Sequence, residues 1–199
     1  RMMQAIATLG HALGFSLAAG VNLYATVAIL GLVSRFGWVE LPSQFAVFDN
    51  NLVIGLALAL YLVEFVADKV PWVDSAWDAV HTVIRPVGGA FLAVAALGDA
   101  TPTTEAIIGL LGGTVAAGAH FTKAGTRAVA NTSPEPVSNW VLSLAEDGFV
   151  IGLGVLTLTF PVAAFAVATV IIVLMIVFFG TISRAAWRRW GRARDEAPA

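Results

Sequence analysis

Two stretches of this chain hold most of the side chains whose types and spacing suit them to chemistry. The first runs from Glu64 to Arg85. Glu64 and Asp68 are four residues apart, and Asp74, Asp78, His81 and Arg85 follow at spacings of 4, 3 and 4. Residues spaced this way lie on one face of a helix. Such a face can bind or relay a cation or a proton. In the second stretch, His120, Lys123, Arg127 and Asn131 share a face at spacings of 3, 4 and 4. This face is basic where the first is acidic. Together they predict either a mutual ion-pair network or a polar path for a solute or proton. Carboxylates four apart beside a histidine also suit a divalent ion, although no zinc-type spacing is present. An active site is the remaining reading.

A smaller set completes the candidates. Asn22 and Tyr24 sit inside a long apolar run, where a broken helix would expose backbone dipoles to a ligand; a hydrogen bond between helices is the plainer use. Glu146 and Asp147 serve as partners of a helix N-terminus or as proton-titrating groups. Asp49 and Glu135 are the other secondary candidates. No phosphate loop, Gly-x-Ser-x-Gly, His-Glu-x-x-His or dinucleotide fingerprint occurs.

The elements that must position these groups are apolar. The chain has 199 residues, 58% hydrophobic and 12% charged, and a mean hydropathy of +0.84. A soluble domain carries about 25% charged residues. Disordered chains, coiled coils, disulfide scaffolds and ordinary soluble enzymes are excluded, and an integral membrane protein is indicated. A net charge of −2 gives no basic field for nucleic acid. Without cysteine there is no disulfide and no thiolate ligand or nucleophile. No cofactor is expected beyond a candidate divalent metal.

Crossing a bilayer takes roughly 20 apolar residues in a helix. The apolar runs predict an all-α bundle of six spans, at 5–33, 47–70, 79–98, 104–128, 139–160 and 162–183. The uncharged run 2–34 is too long for a signal-peptide core of about 7–15 residues and is read as retained in the membrane. The stretch 86–122 reads as two tilted spans or a re-entrant hairpin, since glycine pairs flank two short apolar pieces. Ten of the eleven Lys and Arg fall on one side of this arrangement and Arg35 on the other. The positive-inside rule then places both termini in the cytoplasm, in a bacterial plasma membrane. The six tryptophans fall near predicted span ends. The Arg-rich tail 184–199 is expected to anchor the topology and touch anionic lipid. A homo-oligomer is a candidate assembly.

An internal repeat is also visible. Ala18-Ala-Gly20 recurs as Ala116-Ala-Gly118, Asp49 as Asp147, and Val53-Ile-Gly-Leu56 as Val150-Ile-Gly-Leu153, at offsets of 97 or 98. His120 and Thr122 are the mates of Asn22 and Tyr24. Three spans per half, 1–98 and 99–183, would make the second copy insert upside down, as in transporters built from inverted repeats.

Several strings are distinctive. They are Ala-Gly-Val-Asn-Leu-Tyr-Ala-Thr (19–26), Val-Glu-Phe-Val-Ala-Asp-Lys-Val-Pro (63–71), Asp-Ser-Ala-Trp-Asp (74–78), His-Thr-Val-Ile-Arg-Pro (81–86), Thr-Lys-Ala-Gly-Thr-Arg (122–127) and Asn-Thr-Ser-Pro-Glu-Pro (131–136). They resemble the bacterial membrane family known as domain of unknown function 4126, over roughly residues 10–180. The resemblance carries no catalytic role. The sequence is therefore read first as a small transporter or channel with 3+3 inverted repeats, its site made of the two polar faces and Asn22. The alternatives are a structural subunit of a membrane complex and a membrane enzyme acting on lipid.

Overall fold

A computed structural model describes residues 1–132 and 137–195, with side chains through Arg188. Six α-helices stand where the six apolar runs place spans. They are α1 (Met2–Phe36), α2 (Asn51–Ala67), α3 (Pro71–Leu97), α4 (Pro102–Ala130), α5 (Val137–Thr159) and α6 (Pro161–Asp195). A short 3-10 helix, Ser43–Phe48, precedes α2. There is no strand among the described residues, so the chain is an all-α helical bundle. By length and composition, α1, α3, α5 and α6 are apolar enough to cross a membrane, and α2 is a shorter apolar helix.

Local signals set the boundaries. Pro71, Pro102 and Pro161 each begin a helix, where a missing N–H costs nothing. Asn50 caps α2 by accepting from the amides of Leu52 and Val53, and Thr101 caps α4 through the Thr104 amide. Gly37, at φ 60°, ends α1 in the left-handed region. The helices α3 and α4 run unbroken through 86–97 and 102–122 and pack closely, so the re-entrant alternative does not apply there. Gly112 admits Ala93 and Gly89 admits Ala116, and a Cβ at either glycine would overlap those methyls.

The reversal lies in α1 instead. Asn22 is non-helical, at φ −147° and ψ 98°. Gly14 packs on Thr157 and Ile29 packs on Gly154. Those α5 residues are less than one turn apart. In a straight helix Gly14 and Ile29 would be about 22 Å apart. The same fold-back brings Phe15 against Phe45, with ring centroids at 5.5 Å, and Gly31 against the Phe48 carbonyl on the same short helix. Thus α1 has two arms, 2–21 and 23–36, joined at a tip. Asn22 acts as N-cap of the second arm: its Oδ1 accepts from the Ala25 amide at 2.9 Å.

This hairpin is the centre of the bundle and touches all five other helices. Its arms pack with Phe45, Phe48, Leu92 and Leu158 into an apolar core. Gly10 lies on Pro161, so the start of α1, the short helix and the α5–α6 turn share one end of the bundle. The helix α6 runs from there past Gly118, which meets Met175. Its Arg-rich tail therefore leaves from the opposite end, together with the α2–α3 turn and Asn131. The matched segments Ala18–Gly20 and Ala116–Gly118 pack on each other, with Gly20 against Ala116 and Ala119. The chain breaks at Asn22, whereas α4 continues unbroken through the matched His120.

Candidate functional site

Below the tip of α1, three helices turn their polar faces inward. Glu64 and Asp68 come from the end of α2. Asp74, Asp78, His81 and Arg85 come from α3, and His120, Lys123 and Arg127 from α4. All nine are buried. Arg85 is fifteen residues into α3, about 21 Å from its start. The cluster therefore reaches from one end of the bundle to its mid-depth.

Arg85 is the inner node. Its Nη2 donates to Glu64 Oε1 at 2.8 Å, and its Nη1 donates to Asp78 Oδ1 at 3.0 Å and to His120 Nδ1 at 2.7 Å. Arg85 and Glu64 are both 0% exposed, so this node is sealed. Lys123 is the middle node. Its ammonium lies 3.2 Å from Glu64, 3.4 Å from Asp68 and 3.4 Å from Glu146. It also donates to the Val21 carbonyl at 3.3 Å. In an unbroken helix that carbonyl would take the Ala25 amide, but the amide is held by Asn22. The break at the tip thus frees an acceptor, and the lysine uses it.

Arg127 is the outer node. It binds Glu146 in bidentate fashion, Nε to Oε1 at 2.9 Å and Nη2 to Oε2 at 2.6 Å. It also donates to Asp68 Oδ2 at 3.0 Å and to the Asp68 and Asn139 carbonyls. Asn131 closes the cluster, giving Nδ2 to Asp74 Oδ2 at 2.9 Å and to the Pro71 carbonyl.

His120 is held as a neutral imidazole by its partners. An arginine only donates, so His120 Nδ1 must accept and Nε2–H faces Thr82 Oγ1 at 3.2 Å. His81 Nδ1 donates to the Trp77 carbonyl at 2.7 Å, and its Nε2 shares a hydrogen bond with the Tyr24 hydroxyl at 2.8 Å. Neither ring touches a carboxylate through these bonds. Outside the spans, Lys69 lies over the Phe65 ring, 3.0 Å from its centroid, and burial there pulls its ammonium below the ordinary range.

The cluster is not fully satisfied. Glu64 Oε2, Asp68 Oδ1, Asp74 Oδ1, Asp78 Oδ2, Arg85 Nε and the Asn139 amide have no hydrogen-bond partner. Two cavities reach it from the sides. One, of about 330 Å³, is an apolar cleft between α1, α4, α5 and α6 with Lys123 and Glu146 in its wall. The other, of about 240 Å³, lies between α3 and α4 and has Asp74, Asp78, Thr82 and Arg127 in its wall. Among the described residues, no group of three or more His, Cys, Asp or Glu is placed to hold a metal ion.

All ten primary candidates therefore come together, Asn22 through the adjoining Val21 carbonyl. Among the secondary ones, Tyr24, Asn131 and Glu146 join the cluster. Asp147, one residue past Glu146, turns to a separate small cavity beside Tyr61. Asp49 sits at the opposite end of the bundle, in a half-exposed pair with Arg35 at 2.8 Å. Glu135, and the tail side chains beyond Arg188, lie outside the described residues. Asn139 and Ser143 are buried members that the sequence reading missed. Their spacing from Glu146, 7 and 3 residues, was the available signal.

Fold and cluster define a membrane-helical protein with a buried charge network under a folded-back central helix. The chain belongs to the family described as a domain of unknown function, number 4126, which it matches over residues 9–180. No curated protein and no solved structure matches it.

Proposed function

We propose that this chain is a small membrane transporter or channel whose polar path for an ion or small solute runs from one membrane face to the tip of α1. The carrying observation is the tip itself. A non-helical Asn22 at mid-depth frees the Val21 carbonyl, which contacts a buried ammonium in the charge network. Backbone that departs from a helix inside a membrane survives where protein shields it, and it commonly marks an ion or substrate site. Buried ionisable groups inside a membrane are costly and belong by default to a pathway. The fold-back rather than the internal repeat supports this reading, because the two matched segments differ in backbone at Asn22 and His120.

In this reading α1 is a re-entrant hairpin and α2 to α6 cross the membrane. The Arg-rich tail and the α2–α3 turn face the cytoplasm of a bacterial cell, and the start of α1 faces the other side. This arrangement replaces the even number of crossings expected from the sequence. It leaves Arg1 and Arg35 outside and the other basic residues on the inner side.

The test is flux in proteoliposomes under imposed proton, sodium or potassium gradients. Wild type is expected to carry current or solute, with a loss of at least tenfold in Lys123→Met. No flux under any gradient from folded protein would overturn the proposal. That result would support the second reading, a structural subunit, which the sealed Glu64–Arg85 pair favours.

A further inference from the structure

Charge in the cluster does not balance. Five carboxylates (Glu64, Asp68, Asp74, Asp78 and Glu146) face three cations (Arg85, Lys123 and Arg127); His120 is held neutral, and His81 bonds a carbonyl and a hydroxyl rather than a carboxylate. The shortfall is not spread evenly. Glu64, Asp68 and Glu146 each pair with two cations. Asp78 pairs with Arg85 alone. Asp74 is 0% exposed and has no cation within ion-pair distance among the described residues; its side-chain partner is the Asn131 amide. An isolated buried carboxylate is costly unless something neutralises it.

Two of the unsatisfied oxygens belong to residues that line one cavity. Asp74 Oδ1 and Asp78 Oδ2 have no partner, and both residues, more than nine-tenths buried, line the 240 Å³ cavity between α3 and α4. Asp74, Asp78 and Thr82 recur every four residues along α3, so they form one wall. The facing wall is the last two turns of α4, the end that carries the negative pole of that helix. At roughly 30 Å³ per water, the space admits a cation with several waters.

We propose that this cavity binds a monovalent alkali cation, which serves as the coupling ion of the transporter proposed above. The donors are carboxylate and hydroxyl oxygens, which select a hard cation over a soft one. Two carboxylates set against Arg127 on the facing wall leave about one net negative charge, which suits a monovalent rather than a divalent ion. The coupling role rests on the transport reading; the binding site does not.

The test uses the whole purified chain in detergent. Equilibrium binding of radioactive sodium, and of rubidium standing for potassium, is measured against a choline background of equal ionic strength. Saturable binding of at least one of these ions is expected, at one site per chain. It should weaken at least tenfold in Asp74→Asn and in Asp78→Asn and stay unchanged in Asp49→Asn. Should either cavity variant fail to fold, the wild-type melting midpoint decides. It is expected to rise with sodium or potassium relative to choline. No saturable binding of either ion, binding unchanged in both cavity variants, or a midpoint indifferent to the cation overturns the site. Binding without flux would remove the transport reading and leave the site standing. Flux without binding would remove the site alone.

Discussion

Replacing Arg85 with methionine removes the cation on which the inner half of the network turns. Methionine keeps an unbranched apolar stem, so the perturbation is largely the lost charge. Glu64 would keep Lys123 at 3.2 Å. Asp78 would lose the sole cation within ion-pair distance among the described residues, and His120 Nδ1 would lose its donor. Truncating one partner of a buried ion pair costs about 3–5 kcal/mol, because the other charge stays buried without compensation. An exposed pair is worth about 0–1 kcal/mol. The exposed comparison is Arg35–Asp49, whose side chains are 33% and 37% accessible. The expected losses are therefore about 3–5 kcal/mol for Arg85→Met and at most about 1 kcal/mol for Arg35→Met. Denaturant titration in detergent micelles, with all variants under one set of conditions, reads both. Adding Asp78→Asn to Arg85→Met should recover part of the loss, since the stranded carboxylate is then gone. If Arg85→Met cost no more than Arg35→Met, the reasoning that this cluster holds charge out of water would be refuted.

Three further outcomes follow from the packing and the fold-back. Gly20→Ala would drive a methyl into the Ala116 carbonyl and cost about 1–3 kcal/mol, whereas Gly55→Ala meets open space in a helix and should gain up to about 1 kcal/mol; micelle denaturation checks the order, and equal effects would contradict the close approach of α1 and α4. Asn22→Ala removes the cap on the Ala25 amide and should cost about 1 kcal/mol while reducing flux more than stability; a variant with wild-type flux would separate the tip from function. Because the chain has no cysteine, single cysteines report sidedness cleanly: Gln4→Cys and Asp49→Cys should label from one side of sealed vesicles and Trp187→Cys from the other. Labelling of Gln4→Cys together with Trp187→Cys would mean that α1 crosses straight through.

Much of the architecture could be read from residue order because apolar runs and prolines act locally. Pro71, Pro102 and Pro161 mark helix starts in the sequence as they do in the structure. Spacings of three and four placed the two polar faces correctly, since those spacings depend only on helical geometry. The reversal of α1 was not legible. Residues 2–34 are uncharged and proline-free, so a hairpin and a long span read alike, and it takes the backbone at Asn22 and the tertiary contacts of both arms to separate them. Asn22 was visible as a polar intruder, but its role as an N-cap depends on the backbone leaving the helix there. Glu146 and Asp147 are adjacent on α5, about 100° apart around its axis, and which of them faces the cluster depends on the neighbours that α5 meets. Asp49 matches Asp147 in the repeat, but its partner is Arg35, 14 residues away across the connection that follows α1.

The hairpin divides the bundle into an apolar half packed around its arms and a half filled with charge. Such a division shapes the electric field. Across a uniform slab a membrane voltage falls evenly, but polarisable and charged groups flatten it where they gather. The voltage would therefore drop mainly across the layer that contains Phe15, Leu30, Phe45 and Leu92. A unit charge moved through the whole membrane gains about 2.3 kcal/mol per 100 mV. In the transport reading proposed above, most of that work would be done in the stretch above Asn22, so the tip of α1 marks the position where membrane voltage would act most strongly on a moving charge.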